Sequence, residues 1–287
     1  MKRKHVFRRS MKGKDNRSLL IMINAGLVLI IIIIAMIAQL VRLNSREKKL
    51  DEQQKQAKAV AEQTAAPQTP QPTQTPQVER IRKDLDPEKP MVALTFDDGP
   101  YTKVTRRIVK ALAKKNGRAT FFVVGSRVPI YSDTLKYAYE HGNQIGTHTY
   151  SHKDLRYLKK KGIQKEVNKS LKAVKKVTGE APTMLRPPYG NVTSLMEKTI
   201  KLPMIYWSVD TEDWRSRNAK SVVKNCRNLQ DGDIVLMHDL YPSTASAVEK
   251  LVPKWTKKGY QFVTLEELFY YKNIDAQDGK VYYSGRQ

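Results

Sequence analysis

From residue 90 onward, short apolar runs alternate with amphipathic stretches of helical period. No other feature restricts the possible folds of this chain as strongly. The predicted strands are Val92–Phe96, Ala119–Val124, Gln144–Thr147, Thr183–Leu185, Ile205–Val209, Ile234–Met237 and Gln261–Leu265. Between the third and fourth, Ile163, Val167, Leu171 and Val174 form one helical stripe, with Gly179 as its stop. Strands that alternate with helices imply a parallel α/β sheet, either open or closed into a barrel.

The polar residues stand at the ends of these strands. Asp97 and Asp98 follow the first, His148 the third, Arg186 the fourth, Asp210 the fifth and His238 the sixth. In barrel enzymes, chemistry gathers at the C-terminal ends of the strands. Packing alone gives no reason for so many ionisable groups at corresponding positions.

The segment His148-Thr149-Tyr150-Ser151-His152 sets two imidazoles four residues apart, close enough for both to reach one ion. Such a spacing is weak alone and equally describes two surface histidines. Thr95-Phe96-Asp97-Asp98-Gly99-Pro100 adds two carboxylates at a strand end, in a segment that also reads as an Asx turn. Two His and one Asp hold a divalent cation and leave a position open, as catalytic sites require. The second Asp is then available as a base.

The motifs TFDDGP (95–100), HTYSH (148–152), RPPYG (186–190), DTEDW (210–214) and LMH (236–238) occur in this order. With them the chain resembles, over residues 88–270, the polysaccharide deacetylase family, carbohydrate esterases with a NodB homology domain. The resemblance implies a distorted (β/α) barrel of about seven units. It implies Asp98, His148 and His152 as metal ligands, for zinc with manganese or cobalt as substitutes. It implies Asp97 as the general base, oriented by Arg186, whose charge should favour the carboxylate form. The backbone N–H of Tyr189 would stabilise the oxyanion, and His238 would protonate the leaving amine. Asp210 would hold His238 in the correct tautomer and raise its pKa. Trp214, Leu236 and Tyr189 would line the substrate pocket. Asp213 is expected to be a helix cap, and Thr149 and Ser151 to brace the histidine loop through hydroxyl bonds to backbone.

The first 80 residues are of another kind. Leu19–Val41 is apolar apart from Asn24 and Gln39, long enough at 1.5 Å per residue to cross a hydrocarbon core of about 30 Å. Eight Lys and Arg precede it, and Arg42, Arg46, Lys48 and Lys49 follow. The positive-inside rule therefore expects a single-pass signal anchor with a cytoplasmic basic tail (1–18) and the remainder outside. Residues 42–80 contain the Pro/Gln/Thr run TAAPQTPQPTQTPQ (64–77), too polar to pack and expected to be an extended spacer. The catalytic domain is expected over 81–287, as a monomeric head.

The net charge of +24 invites nucleic acid, an anionic membrane or an anionic wall polymer as partner. Nucleic acid is excluded once the domain is placed outside the cell. The lone Cys226 allows no internal disulfide and shares a helical stripe with Val222, Val223 and Leu229, so it reads as a core thiol. The expected partners are an N-acetylated polysaccharide, most simply peptidoglycan, and the lipid membrane. Exopolysaccharide, chitooligosaccharide and acetylated xylan are alternative substrates. A catalytically dead glycan-binding protein and a metal phosphodiesterase are the rival classes. The first would lack part of the base, ligand and acid set, and the second would need a phosphate cradle that the sequence does not offer.

Overall fold

A computed structural model describes residues 79–286, together with Gln39 alone. The apolar run Leu19–Val41, save Gln39, and nearly all of the spacer lie outside the described residues. Among the described residues, no helix is long and apolar enough to cross a membrane.

The strands are β1 (Met91–Asp97), β2 (Thr120–Val123), β3 (Gln144–Thr147), β4 (Met204–Ile205), β5 (Val209–Asp210), β6 (Asp233–His238), β7 (Gln261–Phe262) and β8 (Val281–Tyr282). The helices are α1 (Thr102–Ala113), α2 (Ser132–Glu140), α3 (Lys160–Thr178), α4 (Ser194–Thr199), α5 (Asp213–Ser216), α6 (Ala219–Asn225), α7 (Pro242–Thr256) and α8 (Leu265–Tyr271). Every ladder is parallel, in the order β3-β2-β1-β6-β5, with β7 on the N-terminal end of β1. Single bridges carry the sheet from Thr147 to Leu185 and from Leu185 to Met204. The chain then runs from β4 into β5, which pairs with β6, so the sheet curls round on itself in the manner expected of a distorted barrel.

Four predicted strands are shorter than the sequence suggested, Ala119–Val124 by only one residue at each end. Around Leu185, Pro182 precedes and Pro187 and Pro188 follow, and proline cannot donate to a ladder. Only Leu185 makes bridges there. The run Ile205–Val209 splits because its halves have different partners. Ile205 N–H donates to Leu185 O at 2.8 Å, Tyr206 N–H to Tyr282 O of β8 at 2.8 Å, and Ser208 N–H to Ile234 O at 2.9 Å. The last strand ends at Phe262 because Thr264 caps α8, in a reciprocal box with Glu267.

The period of two along β1 divides the interior. Val92, Leu94 and Phe96 face the helices with Ile108, Leu112, Val248 and Leu251. Met91 and Ala93 face inward with Phe122, Ile205, Ile234 and Val263. Thr95 and Asp97 continue that inward row toward the C-terminal end of the strand. Helix α3 buries Ile163, Val167 and Val174 as its spacing requires, and ends at Gly179 with φ 84°, a left-handed cap.

Candidate active site

Arg186 organises the inward end of the barrel. It is fully buried. Nε donates to Ile205 O (3.0 Å), Nη2 to Tyr206 O (2.8 Å), and Nη1 to Thr95 Oγ1 (2.7 Å) and Asp97 Oδ1 (2.9 Å). Its guanidinium carbon lies 4.4 Å from the Phe122 ring centroid. A buried cation persists because nearly every donor has a partner.

Asp97 is buried, and burial raises its pKa above the ordinary carboxylate value. The charges of Arg186 and His238 oppose that rise without cancelling it. Arg186 favours the charged form as expected, through its charge and its hydrogen bond, but desolvation outweighs that contribution. A carboxyl raised in this way is a stronger base when ionised. Oδ1 is occupied by Arg186, and Oδ2 lies 3.9 Å from His148 Nε2.

Asp98, with φ 72°, turns its carboxylate away from Asp97 toward two imidazoles. Its Oδ1 lies 3.7 Å from His148 Nε2 and 3.2 Å from His152 Nε2. One donor atom from each of the three residues falls within 4.8 Å of the others. The following Gly99 is a steric necessity, because a Cβ there would sit 2.2 Å from both carboxylate oxygens of buried Asp239. His148 Nδ1 is 2.7 Å from Arg186 O, which fixes the proton on Nδ1 and leaves Nε2 facing the cluster. Burial pushes His148 down to about 3, so the ring is neutral at pH 7. The loop is gripped from both sides. Gly125 and Ser126 N–H donate to Thr149 O and Tyr150 O, while Ser151 N–H and Oγ–H both donate to Glu166 of α3 at 2.8 Å. Thr149 and His152 adopt left-handed φ values of 64° and 55° within it.

Opposite stands His238, the register partner of Asp97 on the neighbouring strand β6. Its Nδ1 lies 2.8 Å from Asp213 Oδ1, and its backbone N–H donates to Asp213 Oδ2 at 2.7 Å. Burial alone would lower its pKa. The bond to Asp213 and the field of Asp213, Asp97 and Asp98 outweigh that and raise it to about 9.

The model of the family described as "Polysaccharide deacetylase" matches residues 84–204. The chain is 40% identical over 185 residues to the peptidoglycan-N-acetylmuramic acid deacetylase PdaC of Bacillus subtilis, covering 64% of this chain and 40% of that protein. It is 31% identical over 212 residues to a peptidoglycan-N-acetylglucosamine deacetylase of Bacillus cereus, covering 67% of this chain and 99% of that one. The chain belongs to the polysaccharide deacetylase family. A solved family 4 acetyl xylan esterase from Clostridium thermocellum, in complex with a cobalt ion, superposes with a TM-score of 0.64 at 31% identity, over 68% of this chain and 98% of that one. The match to PdaC spans well under half of that protein's length.

Deacetylases of this family are metal-dependent, and the donor set here fits a divalent cation. It has three ligand atoms, one of them charged, and the two imidazole nitrogens face the carboxylate. The bond from His148 Nδ1 to Arg186 O is of the kind that orients metal-binding histidines.

The partner assigned to His238 is corrected. Asp210 is exposed at the end of β5 and accepts from Glu212 N–H at 2.8 Å. Asp213 is fully buried and holds the imidazole, with Thr244 Oγ–H donating to its other oxygen at 2.6 Å. Nor is Asp213 the cap of α5, a position taken by Glu212 in a left-handed conformation. Ser151 also differs from expectation, since its hydroxyl binds the Glu166 carboxylate rather than backbone. Thr149 Oγ1 has no hydrogen-bond partner among the described residues. Tyr189 has φ 63° and an exposed ring that meets His152 edge-on at 4.9 Å. Leu236 is buried on the inward row with His238, and Trp214, next to Asp213, is half exposed. Cys226 is fully buried, with its thiol pushed up to about 12 by burial.

Proposed function

We propose that this protein hydrolyses N-acetyl groups from an N-acetylglucosamine-containing polysaccharide, peptidoglycan in the first place, with a divalent cation held by Asp98, His148 and His152. The observation that carries the reading is the register pairing of Asp97 with His238. Strands about 4.8 Å apart set a base and an acid side by side on one inward face, beside the donor cluster.

When bound, zinc or a similar cation makes water more acidic and polarises the acetyl carbonyl. Asp97 Oδ2, free of Arg186, accepts the proton of the attacking water. Arg186 holds the carboxylate still through Oδ1. The backbone N–H of Tyr189 donates to the developing oxyanion. His238 gives its Nε2 proton to the leaving amine while its Nδ1 proton stays on the ring, donated in the bond to Asp213, so the C–N bond breaks with a neutral amine as product. Trp214 and Leu236 take the acetyl methyl. Asp210, without contact to His238, drops out of the catalytic set.

The basic tail, the apolar run and the spacer support a single-pass anchor in the cell membrane, with the catalytic head on the outside. An alkaline carbonate wash should leave the full chain in the membrane pellet; a soluble product starting beyond Val41 would refute the anchor. The activity is tested by acetate release from purified peptidoglycan, with identification of the amino sugar freed. Glucosamine supports the substrate proposed, muramic acid replaces it, and release only from chitooligosaccharides moves the substrate off the wall.

A further inference from the structure

A row of aromatic rings continues outward from the catalytic centre and serves none of the proton transfers. Tyr189 meets His152, and the next residue, Gly190, accepts a 2.5 Å bond from the Tyr206 hydroxyl. A Cβ on Gly190 would lie 2.8 Å from the Trp207 ring, so the loop and the aromatic row pack without a gap. Tyr206 stacks on Trp207 (5.4 Å, 30°) and on Tyr283 (4.8 Å, 29°). The pairing of β8 with β4, and the bridge from Ser284 to Asp233, hold Tyr283 in place. Yet Tyr283 is 57% exposed, because near-parallel stacking occupies only one face of its ring.

That bare face separates Tyr283 from the five tyrosines covered by a cation, while its stacking on Tyr206 separates it from Tyr270, an exposed ring of α8 away from the aromatic row. Tyr131, Tyr137, Tyr150, Tyr157 and Tyr241 each carry an Arg or Lys over the ring. Among the described residues no cation covers Tyr206 or Tyr283, in a chain of net charge +24. A rigid, uncharged ring face suits a ligand that presents C–H bonds rather than charge, and a pyranose does so: its axial C–H groups meet the negative face of an aromatic ring. We propose that Tyr283, backed by Tyr206, is a sugar-stacking subsite that holds the polysaccharide chain some units away from the residue being deacetylated. The subsite makes the enzyme prefer long chains over short ones. This inference rests on the deacetylase reading of the neighbouring site.

The test uses the full chain and β-1,4-linked N-acetylglucosamine as dimer and hexamer. The hexamer-to-dimer ratio of kcat/KM should fall about fivefold in Tyr283→Ala, the loss of one modest ring contact. Tyr283→Trp should keep the ratio, and so should Tyr270→Ala, which removes an exposed ring of α8. Tyr283→Leu keeps an apolar contact on Tyr206 without a ring face and should show the same loss if the Ala variant fails to fold. Hexamer binding to metal-stripped full chain, followed by quenching of tryptophan fluorescence, separates the two readings. Binding that depends on Tyr283 in a protein that releases no acetate would refute the deacetylase and keep the subsite. Acetate release with an unchanged ratio and unchanged hexamer affinity in the Tyr283 variants would keep the deacetylase and overturn the subsite.

Discussion

Replacing Asp213 by Asn should disable His238 without touching the metal ligands. The wild-type imidazole, raised to about 9, is about 99% protonated at pH 7. With the carboxylate gone, the ordinary value of about 6.5 leaves about a quarter protonated, and burial lowers that further. The Asn side chain can also present its N–H₂ to Nδ1, which keeps that nitrogen unprotonated and the ring neutral, a far weaker acid at Nε2 than the imidazolium. Loss of a positioned general acid costs about 10²–10⁴ in rate, so kcat at pH 7 should fall at least 10²-fold. The alkaline limb of the kcat profile should move from near pH 9 to 6.5 or below. Stability shows the same linkage. A pKa raised on folding contributes stability that is complete below about 6.5 and is lost as pH climbs through about 9, so Asp213→Asn should lose most of its stability increment at acidic and neutral pH. The assays are acetate release against pH and urea denaturation at pH 6 and 9.5. Asp210→Asn should alter neither by comparison. If Asp210→Asn shifts the alkaline limb and Asp213→Asn does not, the argument from the 2.8 Å contact is wrong.

Asp97→Asn should retain metal and lose about 10²–10⁴ in kcat, whereas Asp98→Ala should lose metal as well; metal content and turnover on both variants separate base from ligand. Arg186→Met leaves Asp97 buried without its partner and should destabilise the fold by about 3–5 kcal/mol, measured by urea denaturation; a loss below about 1 kcal/mol would contradict a structural role for the pair. Cys226, buried and pushed up to about 12, should resist alkylation at pH 8 in native protein and react fully in denaturant. Labelling of the native form at the rate of a free thiol would show that the core opens there.

The strand runs, the Asp/His/His donors and the Asp97–Arg186 pair were legible because each follows from local pattern: apolar period, strand end, motif. Asp213 was not. It and Asp210 lie three residues apart in one motif, and which of them reaches His238 depends on a left-handed turn at Glu212, φ 49°. Such a turn in a non-glycine residue has no clear sequence mark. Glu166 was hidden for a different reason. A lone acid among seven lysines of α3 reads as solvent-facing, yet it shares the buried stripe with Val167 and Ser170. The capping box at Thr264 and Glu267 was visible in the sequence, and reading Val263–Leu265 as strand overlooked it. Strand β8 is two residues long, below any periodicity, and exists only because β4 offers it an edge.

The position of β1 has a consequence for how the chain reaches this state. Its C-terminal half pairs with β2, close in sequence, but its whole other edge waits for β6, some 140 residues away. While that downstream segment is still being made, Met91–Phe96 has an open edge of Val, Leu and Phe. Such an edge invites pairing with another nascent copy, and distant parallel pairing is slow to form. Biogenesis rather than native stability should therefore limit the yield of this protein. Slower synthesis should improve recovery more than substitutions that stabilise the finished fold.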